Sequence, residues 1–339
     1  MNPPDYTWLA GYLYYTGAQE TFLTQAVAPF VHTMLAHGWA EQCFFIRYSE
    51  RGPHIRLRFK GPSDTLEHNV KPQFTAFFQH YYTRFPSQRE DPARVQALPP
   101  EQRWLPNNSV QFAVYEPEIA RYGGPVGMRI AEQQFHASSC AVLALLRESG
   151  QWSYDRALGA AIQLHLTFAA AVGMDLDETA QFYTSVSQHW YAYAAPSAAA
   201  PSDEARAQRH TKILSVFAQQ FTAQQAALVP YHEVVWQALT AGAVFEQDWL
   251  NRWRHDMSQV GCALRAAHAQ QQVLVPHWWQ PNATLAIPTA RQQLWPIFES
   301  YVHMTNNRLG ILNRDEAYVG YLLHKSLHAL HTAEKSLVC

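Results

Sequence analysis

The sequence predicts an α+β protein: an N-terminal antiparallel sheet with flanking helices, then a mainly helical C-terminal half packed against it. Two observations carry this. Through His54-Ile55-Arg56-Leu57-Arg58-Phe59, apolar and cationic residues alternate with the period of two that a strand requires. From Met128 onward the chain turns Ala- and Gln-rich, with apolar residues at helical spacing. The reading is of one domain over 1–339, its sheet within 1–127 and its helices within 128–339.

In order, the aromatic run Trp8 to Tyr15 reads as a strand and Glu20 to His37 as a helix. Cys43 to Tyr48 and His54 to Phe59 flank the turn Ser49-Glu50-Arg51-Gly52-Pro53, which makes a hairpin with one apolar and one arginine face. A second helix is expected over Thr65 to Phe85, a Pro-rich loop to Pro106, and a strand over Ser109 to Tyr115. Helices are predicted at Arg129 to Glu148, Asp155 to Gly173, Asp177 to Tyr193, Arg209 to Leu228, Tyr231 to Thr240, Glu246 to Gln271, Arg291 to Asn306 and Asp315 to Glu334. Ala194 to Ala207 reads as a flexible connection, and Pro276 to Pro288, with Trp278-Trp279, as a loop.

Composition bounds the function. Hydrophobic residues are 48% of 339, too many for a disordered chain. A net charge of -2, from 25 basic and 27 acidic residues, gives no overall field for nucleic acid or an anionic membrane. No window approaches the roughly 20 apolar residues of a membrane span. Met1 to Tyr15 lacks a basic start and apolar core, so no signal peptide is expected and the cytoplasm is the expected compartment. Cys43, Cys140, Cys262 and Cys339 form no C-x-x-C pair and read as buried or idle thiols. His324, His328 and His331 share a helix face but have no Glu or Cys to complete a zinc set, so no metal site is expected.

Arg56 and Arg58, two apart on a strand, project from one face as a pair of forks suited to carboxylate or phosphate, with Tyr48 beside them. The plainer alternative is a sheet face with scattered ion pairs. Glu118 and Arg121 stand three apart before Gly123-Gly124, which places the carboxylate to orient the guanidinium, or else makes a one-turn surface pair. The glycines lack the Lys and Ser/Thr of a phosphate loop, so nucleotide binding is not indicated. His303 and Arg308 lie near the end of a helix that stops at Gly310, and a histidine there exchanges protons near neutral pH or simply caps the helix.

Taken together and in this order, Phe44-Phe45-Ile46-Arg47-Tyr48 with His54 to Phe59, Tyr115-x-x-Glu118-x-x-Arg121-Tyr122-Gly123-Gly124 with Ala131-Glu132, and Ser300-x-x-His303-Met304-x-x-Asn307-Arg308 resemble the C-terminal domain of class I lantibiotic dehydratases. Stand-alone proteins of thiopeptide-type bacteriocin biosynthesis share this family. The resemblance implies a split enzyme whose large glutamylating domain is a separate partner using glutamyl-tRNA. It implies that this chain removes glutamate from a glutamylated Ser or Thr of a ribosomal precursor peptide, leaving dehydroalanine or dehydrobutyrine. It puts the essential arginines on Arg56 or Arg58 and on Arg121, the accompanying glutamate on Glu118 and the essential histidine on His303, with Tyr48 and Arg308 as substrate-binding neighbours. His303 either takes the α-proton or protonates the leaving group. The resemblance implies neither metal nor organic cofactor, and leaves a homodimer open. Within the family the rival is the [4+2] cycloaddition that builds a pyridine-type ring; outside enzymes, it is a non-catalytic precursor-binding subunit.

Overall fold

A computed structural model of the chain describes residues 5–194, 202–275 and 289–338. The Trp278-Trp279 loop and residues 195–201 of the expected Ala194 to Ala207 connection lie outside them, and from Asp203 that connection is helical instead of flexible, because Ser202 caps the helix through the Ala205 N–H. Two compact units are formed: Met1–Glu118 with Glu132–Trp152, and Ile119–Ala131 with Ser153–Cys339. The fold class is as predicted, with a four-stranded antiparallel sheet near the N-terminus and a mainly helical second half.

The first unit contains strands β1 (Tyr6–Tyr14), β2 (Gln42–Tyr48), β3 (His54–Pro62) and β4 (Ser109–Ala113), in the order β2-β3-β1-β4. Helices α1 (Gln19–Phe22) and α2 (Ala28–Ala36) join β1 to β2, and α3 (Ser63–Thr65), α4 (Lys71–Arg84) and α5 (Ala93–Gln96) join β3 to β4. This is the β-α-β-β-α-β arrangement of a split βαβ sheet. The alternation decides its faces. Ile55, Leu57 and Phe59 pair across from Leu13, Gly11 and Leu9 and bury with Phe30, Phe74 and Phe78 of the helices. Arg56 and Arg58 pair across from Tyr12 and Ala10 on the opposite face.

Gly11 shows why this strand takes no side chain at its centre: a Cβ there would stand 2.3 Å from the Phe74 ring. Gly11→Ala therefore lowers unfolding free energy by about 1–3 kcal/mol through overpacking. A urea midpoint equal to that of the parent would contradict this packing.

β2 is an edge strand, whose open backbone groups need partners. Helix α6 (Pro125–Glu148) supplies them from its later turns: the Phe45 N–H donates to Ser139 Oγ at 3.1 Å, and His136 Nδ1 lies 3.1 Å from both the Cys43 nitrogen and its carbonyl oxygen.

The second unit holds α7 (Tyr154–Ala171), α8 (Leu176–Ala194), α9 (Asp203–Thr240), α10 (Asp248–Ala269), α11 (Trp295–Leu309) and α12 (Asn313–Val338). Small residues set close approaches: a Cβ on Gly320 of α12 would meet Ser187 of α8 at 3.1 Å, and one on Gly261 of α10 would meet Val172 just after α7 at 3.1 Å. Some buried polar groups bridge helices: Trp253 Nε1 donates to the Leu164 carbonyl at 3.0 Å. α11 stops where expected, at Gly310, whose φ of 82° is the left-handed helix cap that glycine favours.

One predicted boundary is corrected. The expected break at Pro230 does not occur, and α9 runs through it as one helix. Proline removes one N–H and crowds the carbonyl of Ala226, but Ala226 is exposed, so that carbonyl is open to solvent instead of being buried without a partner.

Candidate functional site

In the first unit the arginine face is interleaved with rings. His54 is fully buried between Tyr12 and Tyr14, with ring centroids 5.2 and 4.5 Å away. Its Nδ1–H donates to the Gly52 carbonyl at 2.8 Å, so Nε2 is the acceptor for the Arg56 Nε–H at 3.1 Å. Burial holds this imidazole below its ordinary pKa, against the opposing Gly52 hydrogen bond. Arg56 also reaches Glu50 at 3.2 Å and lies 3.5 Å over the Tyr48 ring. It is thus occupied by a carboxylate of its own chain.

Arg58 differs. It is buried, its guanidinium lies 5.0 Å from the Phe44 ring and 4.8 Å from that of Tyr115, and its Nε has no hydrogen-bond partner among the described residues. Burial pushes its pKa down, with Tyr12 and Tyr115 opposing. A desolvated cation faced by rings gains cation–π attraction but keeps a donor to offer an incoming anion. Next along the strand, Lys60 pairs with the buried Glu132 at 3.2 Å, which accounts for the Ala131-Glu132 element structurally.

In the second unit, Arg121 donates from Nε to Ser300 Oγ of α11 at 3.2 Å. The neighbouring glycines serve a close approach of backbone: Gly123 and Gly124 have φ of 80° and 109°, and the Gly123 carbonyl accepts from the Leu274 N–H at 2.8 Å. His303, one α11 turn beyond Ser300, contacts Glu316 Oε1 of α12 through Nδ1 at 2.8 Å and stacks on Trp190 of α8 at 4.6 Å. Glu316 is buried and also accepts from Asn306 Nδ2 at 3.1 Å. With the carboxylate as acceptor, Nδ1–H is the donor and Nε2 is the ring atom that remains for proton exchange. Beside it, His189 lies 3.6 Å from buried Glu299, and its pKa is lowered by burial and by the charges of Arg121 and His303. Arg308 is fully buried and donates to the Met304 carbonyl at 2.8 Å, while Glu118 is exposed.

The model of the lantibiotic biosynthesis dehydratase C-terminal family matches residues 8–327. The chain belongs to this family. As a lantibiotic dehydratase C-terminal domain it is also similar to the subtilin biosynthesis protein SpaB of Bacillus subtilis, 31% identical over 147 residues. That match covers 43% of this chain and 12% of SpaB, so the chain spans a small part of that relative. Among solved structures, the pyridine synthase TbtD from thiomuracin biosynthesis aligns with a TM-score of 0.70 at 17% identity, covering 94% of this chain and 97% of that one. The tRNA-dependent lantibiotic dehydratase MibB from Microbispora sp. 107891 aligns at 0.57 and 21% identity, over 96% of this chain and 28% of that one. TsrL aligns at 0.63 and 15% identity, covering 97% and 96%. These likenesses establish a shared fold.

Within this family domain, several neighbours of the motif residues escape sequence reading. Glu316 lies 13 positions after His303 on the next helix, and His189 more than 100 positions before it. No periodicity links residues so far apart. No helix among the described residues is long and apolar enough to cross a membrane.

Proposed function

We propose that this domain eliminates glutamate from glutamylated Ser or Thr in a ribosomal precursor peptide, acting after a separate glutamylating partner that uses glutamyl-tRNA. The observation that carries it is the His303–Glu316 pair: a histidine fixed in one tautomer by a buried carboxylate suits proton transfer at carbon. The reaction removes the α-proton, forms the Cα–Cβ double bond and breaks the Cβ–O bond. His303 exchanges the proton. Arg121 stabilises the enolate that develops on the adjacent amide carbonyl. Arg58, with a donor to offer, takes a carboxylate of the glutamyl group, and Arg56, Tyr48, Glu118 and Arg308 are the substrate-binding residues around it. The expected compartment is the cytoplasm, where glutamyl-tRNA is made.

A second reading, [4+2] ring formation, has one observation in its favour: the rings of Tyr12, Phe44, Tyr48 and Tyr115 around the arginines suit a neutral ring-forming core. Offering the purified protein a glutamylated peptide and, separately, a peptide with two dehydroalanines separates the two. Mass spectrometry should show glutamate loss from the first and no change in the second; conversion of the second alone would replace elimination by cyclisation.

A further inference from the structure

We propose that Cys43, His136 and Cys140 form a binding site for a thiophilic d10 cation, zinc(II) above all, distinct from the residues assigned to elimination. The two cysteines are 97 positions apart, so no spacing motif announces them. The fold brings them together: Cys43 sits on edge strand β2, while His136 and Cys140 stand four apart on one face of α6. Both cysteines are thiols. His136 Nδ1 lies 3.8 Å from each sulfur, and all three ligand atoms fall within 4.8 Å of one another.

These are near the spacings of a tetrahedral thiolate–imidazole site. Bonds of about 2.3 Å to sulfur and 2.0–2.1 Å to nitrogen set sulfur and nitrogen about 3.6 Å apart, and two sulfurs about 3.8 Å apart. Binding then needs a few tenths of an ångström at the imidazole and at most about 1 Å between sulfurs. The ligand set decides the class of ion: two thiolates and an imidazole suit zinc(II) or copper(I) and disfavour magnesium or calcium. Cys43 is buried, whereas His136 and Cys140 are partly exposed, so the fourth position opens toward solvent, and water would complete the coordination.

Binding would exchange the contact of His136 Nδ1 with the Cys43 backbone for the ion, clamping α6 onto the edge of β2. Phe44 is the next residue in that strand, wedged between Phe135 of α6 and the Arg58 guanidinium, with rings 5.2 Å apart. The clamp therefore bears on the aromatic backing of Arg58 without contacting a substrate.

The test is titration of the reduced full chain with cobalt(II), then zinc(II). One equivalent of cobalt should give thiolate-to-metal absorption in the near ultraviolet and visible bands of a tetrahedral site, all abolished by zinc. Cys43→Ser and Cys140→Ser should weaken cobalt binding by more than the roughly 10–100-fold that loss of an outer partner costs, while Cys262→Ser leaves it unchanged. Circular dichroism identifies variants that keep the parent fold. The absence of a thiolate band in the parent protein overturns the proposal, as does an undiminished band in folded Cys43→Ser or Cys140→Ser. Neither outcome depends on glutamate elimination.

Discussion

Replacing His303 by asparagine should slow glutamate elimination by roughly a hundred- to ten-thousand-fold, the usual contribution of a positioned acid–base group. Asparagine is the informative choice. Its amide nitrogen can occupy the place of Nδ1 and still donate to Glu316, so the buried carboxylate keeps a partner. Alanine would leave that carboxylate with Asn306 alone and confound lost chemistry with lost stability. Glu316→Gln should act in the same direction but less, because it positions His303 without exchanging the proton. The readout is kcat against peptide affinity: kcat falls and affinity holds. Near-parental kcat in a folded His303→Asn protein would remove His303 from the chemistry.

Acid should unfold the second unit well above the pH at which carboxylates are neutralised. Burial lowers His165 to about 4, His232 to about 4 and His324 to about 3, against about 6.5 in an unfolded chain. The sign follows directly. Between pH 6.5 and 4 the unfolded chain binds protons that the folded one refuses, so stability is full above pH 6.5, falls as pH drops, and stops falling on account of His165 below about 4. At pH 5 the fully buried His165 alone costs on the order of 2 kcal/mol, a large share of a typical domain's stability. Its Nε2–H donates to Asn306 Oδ1 at 2.8 Å, a role that glutamine can imitate without titrating. Thermal midpoints at pH 7 and pH 5 should differ for the parent and differ less for His165→Gln. A parent midpoint unchanged between these pH values would contradict the burial argument.

Much of the sheet is legible because its signals are local. The period-two alternation of His54 to Phe59 needs no partner to declare which side chains share a face, and the register confirms it. The end of α11 at Gly310 is likewise written in one residue. Pro230 misleads because the rule it invokes assumes a carbonyl with nowhere to turn, and here solvent is at hand. The pairings proposed to give chemistry are legible only in part. The segments holding Arg58, Arg121 and His303 are short motifs, but what distinguishes Arg56 from Arg58 is Glu50 in the intervening turn and a ring on each side. Glu316, His189 and the Cys43–His136–Cys140 cluster arise from packing between elements distant in the chain, where single-sequence periodicity carries no information.

The central claim is tested most directly with a precursor peptide carrying one glutamylated serine deuterated at its α-carbon. Elimination releases glutamate and yields dehydroalanine that has lost the deuterium, and this is the expected product mass. Recovery of serine with its deuterium would mean that the ester was hydrolysed instead, and recovery of intact glutamylated peptide that the domain does not act on it; either result would contradict the account.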